Sequence, residues 1–340
     1  MTRRIGFTGD VMLGRLVDDR QRERSVDAVW GTVLERLRGL DALVINLECV
    51  LSTRGREWRR THRPFHFRAD PDWAIPALER AGVDVCALAN NHVLDYEAVA
   101  LRDTLEGLDE AGIARTGAGE TIDESLEPAV VTVDGGARGG TGDELELAVV
   151  AFTDNTPEYA ADEESPGTAW IDIDTDDAEA KRRVREALSR ARESDPDLLV
   201  ASLHWGPNMV TEPPESFREF GRWLIEDGVD VVHGHSAHVF QGIEVHDGRP
   251  IMYDTGDFVD DYAVDDELRN DRGFLFELDV TADGVPTELR LRPTEIDGCA
   301  VHEAGPAAAE WARDRMRELS APLGTEFERD GEALVLSLES

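Results

Sequence analysis

The sequence predicts an α/β fold whose core is a mostly parallel β-sheet. Short apolar runs alternate with longer amphipathic stretches as far as Gly242, and this alternation is typical of parallel strands connected by helices. After Gly242, short apolar segments follow one another at hairpin spacing, which predicts additional antiparallel strands. No linker long enough to separate domains interrupts the 340 residues, so we predict one domain over residues 1–340.

The predicted strands of the first part are apolar runs bounded by polar or glycine residues; they cover residues 5–9, 42–46, 83–89, 145–152, 198–203 and 229–232. The predicted helices repeat apolar residues at helical spacing, and several begin with Asp or Pro and end before Gly. They cover residues 27–40, 71–81, 96–111, 176–193 and 214–227. The later strands are predicted at residues 243–246, 251–254, 273–280 and 288–293, and residues 133–144 are predicted to be an exposed hairpin loop.

The charge balance excludes whole classes of function. The chain carries 72 acidic and 35 basic side chains, a formal net charge of −37. Such a surface repels nucleic acid and anionic lipid, so a general nucleic-acid or membrane-surface binder is excluded. Lys181 is the single lysine. We interpret this acid-rich, lysine-poor composition as the adaptation of a halophilic protein to salt, and not as a sign of function.

The cysteines and the hydropathy suggest a compartment. Cys49, Cys86 and Cys299 are far apart and lack paired spacing, so we predict small buried residues and no thiolate metal site. No apolar run is long enough for a membrane span, and the first residues lack the apolar stretch of a signal peptide. From this we expect a reduced, soluble, cytoplasmic protein.

Metal-binding residue types follow five of the predicted strands. Because the carboxyl ends of neighbouring parallel strands converge on one crevice, these side chains should meet in space. Together they offer carboxylate oxygens, an amide oxygen and imidazole nitrogens, a set suited to two divalent cations such as Mn²⁺, Fe²⁺ or Zn²⁺. The candidates are Asp10, Glu48, Asn91 with His92, His204, and the run His233, His235 and His238.

Each of these residues alone also fits an ordinary structural role. Asp10 would cap a turn, Glu48 would be a solvated strand end, and His204 would be a hydrogen-bonded core histidine. The run from His233 to His238 is stronger evidence, because three imidazoles over six residues repel one another when protonated unless metal or hydrogen bonds keep them neutral.

Five motifs in this order resemble those of the CapA family of poly-gamma-glutamate capsule biosynthesis proteins, a branch of the calcineurin-like metallophosphatase superfamily. The resemblance extends over residues 4–262. The motifs are GDVMLG at 9–14, NLE at 46–48, ANNH at 89–92 followed by Asp95 and Tyr96, HWG at 204–206, and GHSAH at 234–238.

The resemblance implies a four-layer αββα sandwich of two mixed sheets, completed by strands and a helix in residues 263–340. It also implies the metal ligands: Asp10 and His238 for one cation, Asn91, His204 and His235 for the other, with Glu48 bridging. His92 would stabilise substrate charge or protonate a leaving oxygen, and Asp95 would orient His92. Asn46 belongs to the same motif set and is predicted to contact substrate.

Three parts of the sequence depart from the resemblance, and one of them is GHSAH at 234–238, where family members often read Gly-His-His-Pro-His. Superfamily enzymes usually carry a histidine two residues after the first aspartate, where this chain has Met12, as is common in the CapA branch. Family members often read Ser-Leu-Gly-Asn-Phe where this chain reads DTGDF at 254–258, which places Asp257 at the position of the asparagine.

A basic segment at residues 54–68 contrasts with the acidic chain. It contains six arginines and one glutamate, interleaved with aromatic residues, and it follows Glu48 closely. One interpretation is a solvated surface that pairs with nearby acids. The other is an anion clamp beside the metals, with Arg59, Arg60 and Arg63 binding carboxylate or phosphate.

Three hypotheses for function follow. The first is a metal-dependent, CapA-like hydrolase that acts on an anionic polymer or a phosphorylated intermediate in capsule synthesis. The second is a metallophosphoesterase for a small phosphorylated metabolite. The third is a non-enzymatic accessory protein of a polymer synthase, which the methionine at position 12 favours.

Overall fold

The structure is a computed structural model that describes residues 2–134, 144–173 and 178–338. The hairpin loop predicted at 133–144 and the start of the helix predicted at 176–193 fall largely outside these residues. Among the described residues, no helix is both long and apolar enough to cross a lipid bilayer. Cys49, Cys86 and Cys299 are all buried, as predicted.

The described strands, in chain order, are β1 Arg3–Val11, β2 Ala42–Leu47, β3 Val50–Leu51, β4 Arg68–Ala69, β5 Val85–Ala87, β6 Ala114–Thr116, β7 Ala118–Gly119, β8 Ala129–Val133, β9 Leu145–Thr153, β10 Gly167–Thr168, β11 Leu198–His204, β12 Val231–His235, β13 Ile243–His246, β14 Arg249–Met252, β15 Asp257–Val259, β16 Arg272–Val280, β17 Pro286–Asp297, β18 Ala300–Glu303, β19 Glu328–Asp330 and β20 Ala333–Ser337. The α-helices are α1 Leu16–Gln21, α2 Leu34–Arg38, α3 Pro71–Ala81, α4 Glu97–Ala111, α5 Ile122–Ser125, α6 Ala178–Ala191, α7 Glu215–Glu226 and α8 Pro306–Ser320. Short 3₁₀ segments occupy Val26–Val33, Pro157–Tyr159, Arg192–Ser194 and Ala321–Leu323.

Two mixed sheets form the centre of the molecule. The first has the order β19-β20-β17-β16-β1-β2-β5-β6, with β15 beside β1 and β18 beside β17. In it β1, β2, β5 and β6 are parallel, whereas β16 and the later strands are antiparallel. The second has the order β13-β14-β12-β11-β9-β8, with four parallel strands between antiparallel edges. The C-terminal strands thus extend the same sheet that begins with β1.

Three apolar clusters show how the layers stack. Between the sheets, Phe7 and Val44 of the first sheet pack with Leu147 and Val200 of the second. On the outer face of the first sheet, Ile45 packs with the side chains of α2, α3 and α4. On the outer face of the second sheet, α6 and α7 cover the strands. This order of helix, sheet, sheet and helix confirms the predicted four-layer αββα sandwich.

Local sequence signals explain where α3 begins and ends. Asp70 caps the helix by accepting a hydrogen bond from the Asp72 N–H at 3.1 Å, and Pro71 occupies the first turn. Gly82 ends the helix in the left-handed conformation, with a φ of 76°. The helix predicted at 71–81 is therefore confirmed with the same bounds.

The single helix predicted at 27–40 is wrong. The chain forms a 3₁₀ segment, Val26–Val33, and then the short helix α2, with a break at Gly31, where φ is 42°. A Cβ atom at Gly31 would lie 2.3 Å from the carbonyl oxygen of Val301, so β18 approaches too closely for any side chain. The break lets the indole of Trp30 donate to the carbonyl oxygen of Ala77 in α3, at 2.7 Å.

Candidate metal centre

The carboxyl ends of the parallel strands in both sheets face one site. Asp10 lies near the end of β1 and Glu48 directly follows β2. His204 and His235 are the last residues of β11 and β12, where they are paired in register. His238 lies three residues further on. All five side chains are buried, so strands far apart in sequence bring these residues together inside the protein.

The donor atoms form two groups that share one carboxylate. In one group, an oxygen of Asp10 and ring nitrogens of His204 and His235 lie within 4.8 Å of one another; in the other, Asp10, Glu48 and His238 do so. This division separates His238 from His204 and His235, as the family resemblance implies. It places Asp10, rather than the expected Glu48, in both groups. Which carboxylate bridges two cations stays a prediction.

Unpartnered buried atoms show that the site fits cations. Both carboxylate oxygens of Glu48, Oδ1 of Asn91 and Nε2 of His204 are buried without a hydrogen-bond partner among the described residues. Leaving such groups unpaired is costly. The Nδ1 atoms of His204 and His235 also face each other at 2.9 Å. Oxygen and imidazole donors left without partners in this way suit divalent cations of the Mn²⁺, Fe²⁺ and Zn²⁺ type.

Burial sets the charge state of the histidines. Burial lowers the pKa of His204 to about 3, and burial together with the neighbouring His204 holds the pKa of His235 well below its usual value. Both are therefore neutral, which is the form of imidazole that binds metal. Burial opposes the ionisation of Asp10, but the hydrogen bond with His238 and the positive charge of that histidine lower the pKa of Asp10.

His92 is held beside the two groups by Asp95. Its Nδ1 lies 2.6 Å from Oδ2 of Asp95, and its Nε2 lies 3.6 Å from Oε1 of Glu48. Asp95 also accepts hydrogen bonds from the backbone N–H of Phe67, at 2.7 Å, and from the hydroxyl of Tyr159, at 3.2 Å. The ring of His92 therefore has a defined orientation, with one nitrogen directed at the candidate metal centre.

Asn46 contacts Asp10 through its side-chain amide. It is completely buried, and its amide donates to Oδ1 of Asp10 at 2.7 Å. Its carbonyl oxygen accepts a hydrogen bond from Asn90 at 3.0 Å, and Asn90 in turn accepts from the backbone N–H of His92. In this arrangement Asn46 positions Asp10, and its contact with substrate stays a prediction.

The three arginines of the predicted clamp occupy different environments. Arg63 donates to the hydroxyl of Thr156 at 2.6 Å and to the carbonyl oxygen of Asn91. Its Nε is buried and has no hydrogen-bond partner in the described parts of the chain. Arg59 pairs with Glu57 in solvent, and exposed Arg60 lies over the ring of Trp58 at 4.5 Å. Only Arg63 of the three therefore reaches the candidate metal centre.

Some residues of the site were missed by sequence reasoning. Tyr159 and Thr156 come from a loop after β9 that carries no recognisable motif. Asp257 was recognised only as a departure from the family pattern, yet its carboxylate lies 2.9 Å from His238. His233, although part of the histidine run, hydrogen bonds to Ser202 and to the carbonyl oxygen of Thr8 and lies outside both donor groups.

Comparison with known proteins agrees with the motif order. Residues 4–262 match the family described as bacterial capsule synthesis protein PGA_cap. The chain is 32% identical to a probable polyglutamine synthesis accessory protein of Mycobacterium tuberculosis, over 93% of this chain and 90% of that protein. It is 28% identical to the capsule biosynthesis protein CapA of Bacillus anthracis, over 75% of this chain and 59% of that protein.

Two further similarities are more distant. The chain is 26% identical to the PGA biosynthesis protein CapA of Bacillus subtilis, over 88% of this chain and 72% of that protein. A solved structure from Thermus thermophilus aligns with 83% of this chain and 100% of its own, with a TM-score of 0.41 and 12% identity, and adds nothing to the fold defined above. On the family match and the mycobacterial relative, this chain belongs to the CapA family of bacterial capsule synthesis proteins.

Proposed function

We propose that this protein is a metal-dependent hydrolase of capsule or polyglutamate synthesis, acting on an anionic polymer or on a phosphorylated intermediate of its assembly. The observation that carries the proposal is the pair of buried donor groups that share Asp10, with the unpartnered atoms of Glu48, Asn91 and His204 beside them. Relatives named for capsule, PGA and polyglutamine synthesis support the biological context.

Two divalent cations at this site would neutralise charge that develops on a phosphoryl or acyl oxygen. The residues of the chain supply the rest of the chemistry. Arg63, half-buried beside Asn91, binds an anionic group of the substrate through its guanidinium. His92 donates from Nε2 to the leaving oxygen, while Asp95 keeps the ring in place through Nδ1.

A second candidate is a non-enzymatic accessory protein of a polymer synthase. Two observations favour it: Met12, at the position where superfamily enzymes carry a histidine, is a buried apolar residue, and the mycobacterial relative is named an accessory protein. In that case the cations, if bound, would serve the fold or the contact with the synthase.

Metal analysis and hydrolysis assays separate these candidates. Protein purified without chelators and reloaded with Mn²⁺, Fe²⁺ or Zn²⁺ is expected to hold two cations per chain and to hydrolyse an aryl phosphate, and a chelator should abolish both properties. Bound metal without hydrolysis of any phosphate or acyl-phosphate substrate would support the accessory function instead. Preference for an aryl phosphate over phosphorylated glutamyl peptides would favour a phosphatase of small metabolites.

Arg63 and the pair Arg59 and Arg60 are expected to differ in their effects on substrate binding. Arg63→Gln should raise KM for an anionic substrate about tenfold with a smaller change in kcat, because a group remote from the reacting bond binds ground state and transition state alike. The double variant Arg59→Gln/Arg60→Gln should leave KM within twofold, since Arg59 pairs with Glu57 in solvent and Arg60 lies against Trp58. Steady-state kinetics at low salt measure both. Equal effects of the two variants on KM would support the original prediction, in which Arg59, Arg60 and Arg63 all bind the anionic substrate.

A further inference from the structure

Asp257 lies beside Asp10 at the carboxyl end of the first sheet. β15 pairs with β1 in parallel, and Asp10 and Asp257 are partners in register. The two backbones approach so closely that a Cβ atom at Gly9 would lie 2.0 Å from the carbonyl oxygen of Gly256. Because side chains at paired positions of parallel strands point to the same face, both carboxylates are directed to the same side of the sheet.

Both carboxylates meet at the same nitrogen. Nδ1 of His238 lies 2.9 Å from Oδ1 of Asp257 and 3.2 Å from Oδ2 of Asp10. Metal–ligand bonds of about 2.0 to 2.2 Å place neighbouring donor atoms of one cation roughly 3 Å apart. Nδ1 of His238 therefore lies, from each of the two carboxylate oxygens, at the distance expected between two ligands of one cation.

One oxygen of the buried Asp257 carboxylate is left without a hydrogen-bond donor in the described part of the chain. Its side chain is 1% exposed, and its Oδ2 has no hydrogen-bond donor among the described residues. The neighbouring carboxyl group is that of Asp260, which is buried and likewise has an oxygen without a donor. Two buried carboxyl groups in contact, next to Asp10, concentrate negative charge that only a cation or a proton can balance.

We propose that Asp257 is a ligand of the cation held by Asp10 and His238. This inference rests on the proposed metal centre and deepens it. It adds a protein ligand to the donor group of Asp10, Glu48 and His238, in a chain that has Met12 where superfamily enzymes carry a histidine. It also gives a role to the acid that this chain carries where many family members carry a neutral asparagine.

The test compares metal binding by Asp257→Asn and Asp260→Asn. Both variants replace one carboxyl group of the same buried pair with an amide, but among the described residues the contact with His238 is made by Asp257 and not by Asp260. Titration with Mn²⁺ or Zn²⁺ should show that Asp257→Asn lowers the affinity for one of two cations by at least about tenfold and leaves the affinity for the other unchanged. The affinities of Asp260→Asn should stay within about threefold of those of the wild type. Far-UV circular dichroism and thermal unfolding confirm that each variant is folded.

The visible absorption spectrum of bound Co²⁺ gives a readout that is independent of activity. A lost ligand should change the spectrum of one Co²⁺ in Asp257→Asn and in Asp257→Ala but not in Asp260→Asn. An altered affinity with an unchanged Co²⁺ spectrum would mean that Asp257 only orients His238, and equal effects of the two Asn variants would mean that only charge matters; either result overturns the inference. Wild-type protein that binds no cation would instead refute the proposed metal centre.

Discussion

Replacing Asp10 with asparagine is expected to remove both cations from the protein while leaving the fold intact. Asp10 is the residue that the two donor groups share, so its charge contributes to both positions. Asparagine has the same shape, and its single carbonyl oxygen can keep one of the two hydrogen bonds that Asp10 accepts, from Asn46 at Oδ1 and from the backbone N–H of Ser236 at Oδ2. Losing a shared ligand should lower the affinity for each cation by more than the roughly 10- to 100-fold expected when a residue that hydrogen bonds to a metal ligand is replaced.

Metal content per chain after dialysis measures this effect, and His238→Ala provides the comparison. His238 belongs to one donor group only, so its loss should release one cation and leave the other bound by His204 and His235. His235→Ala and Asn91→Ala should each weaken the binding of the second cation. His246→Gln, a substitution at a surface histidine paired with Glu226, should release none. Retention of one full equivalent of metal by Asp10→Asn would show that Asp10 is not the shared ligand.

Replacing His92 with asparagine is expected to reduce hydrolysis by about 10²- to 10⁴-fold while both cations stay bound. His92 has one ring nitrogen engaged by Asp95, at 2.6 Å, and the other directed at the site, 3.6 Å from Glu48. That position suits a group that donates to substrate. It is adjacent to the donor groups in space without belonging to either of them.

Metal content and kcat of the same preparation must be measured together. His62→Asn makes the same substitution at an exposed histidine of the basic segment and should leave both quantities unchanged. If the cations leave together with His92, this residue is a ligand and the division of roles described above is wrong. If hydrolysis persists at the wild-type rate with both cations bound, the leaving oxygen takes its proton from another group.

A large part of the site could be predicted from the order of residues along the chain. Asp10, Glu48, His204 and His235 follow apolar runs that are recognisable as buried strands, and parallel strands necessarily end at one edge of a sheet. The bounds of α3 could be predicted for an equally local reason. The cap at Asp70, the proline in the first turn and the left-handed glycine at position 82 act within a few residues of one another.

Other features depend on contacts between segments that are distant in sequence. The break at Gly31 is imposed by β18, which lies some 270 residues later, so the apolar spacing of residues 27–40 resembled that of a continuous helix. Tyr159 binds Asp95 from a loop without a motif. The basic segment reads as one cluster of charge, yet only packing decides that Arg63 contacts Asn91 while Arg59 and Arg60 remain in solvent.

The fold class, the family and the residue types of the candidate metal centre could thus be predicted from the amino-acid sequence, because each depends on periodicity or on short motifs. How those residues are divided between the two donor groups became visible only in the folded protein. Folding places Asp10 in both donor groups, puts Asn46 in hydrogen-bond contact with Asp10, and puts Asp257 in contact with His238. Strand pairing and the facing of two sheets set these distances, and neither is encoded in the local pattern of any one segment.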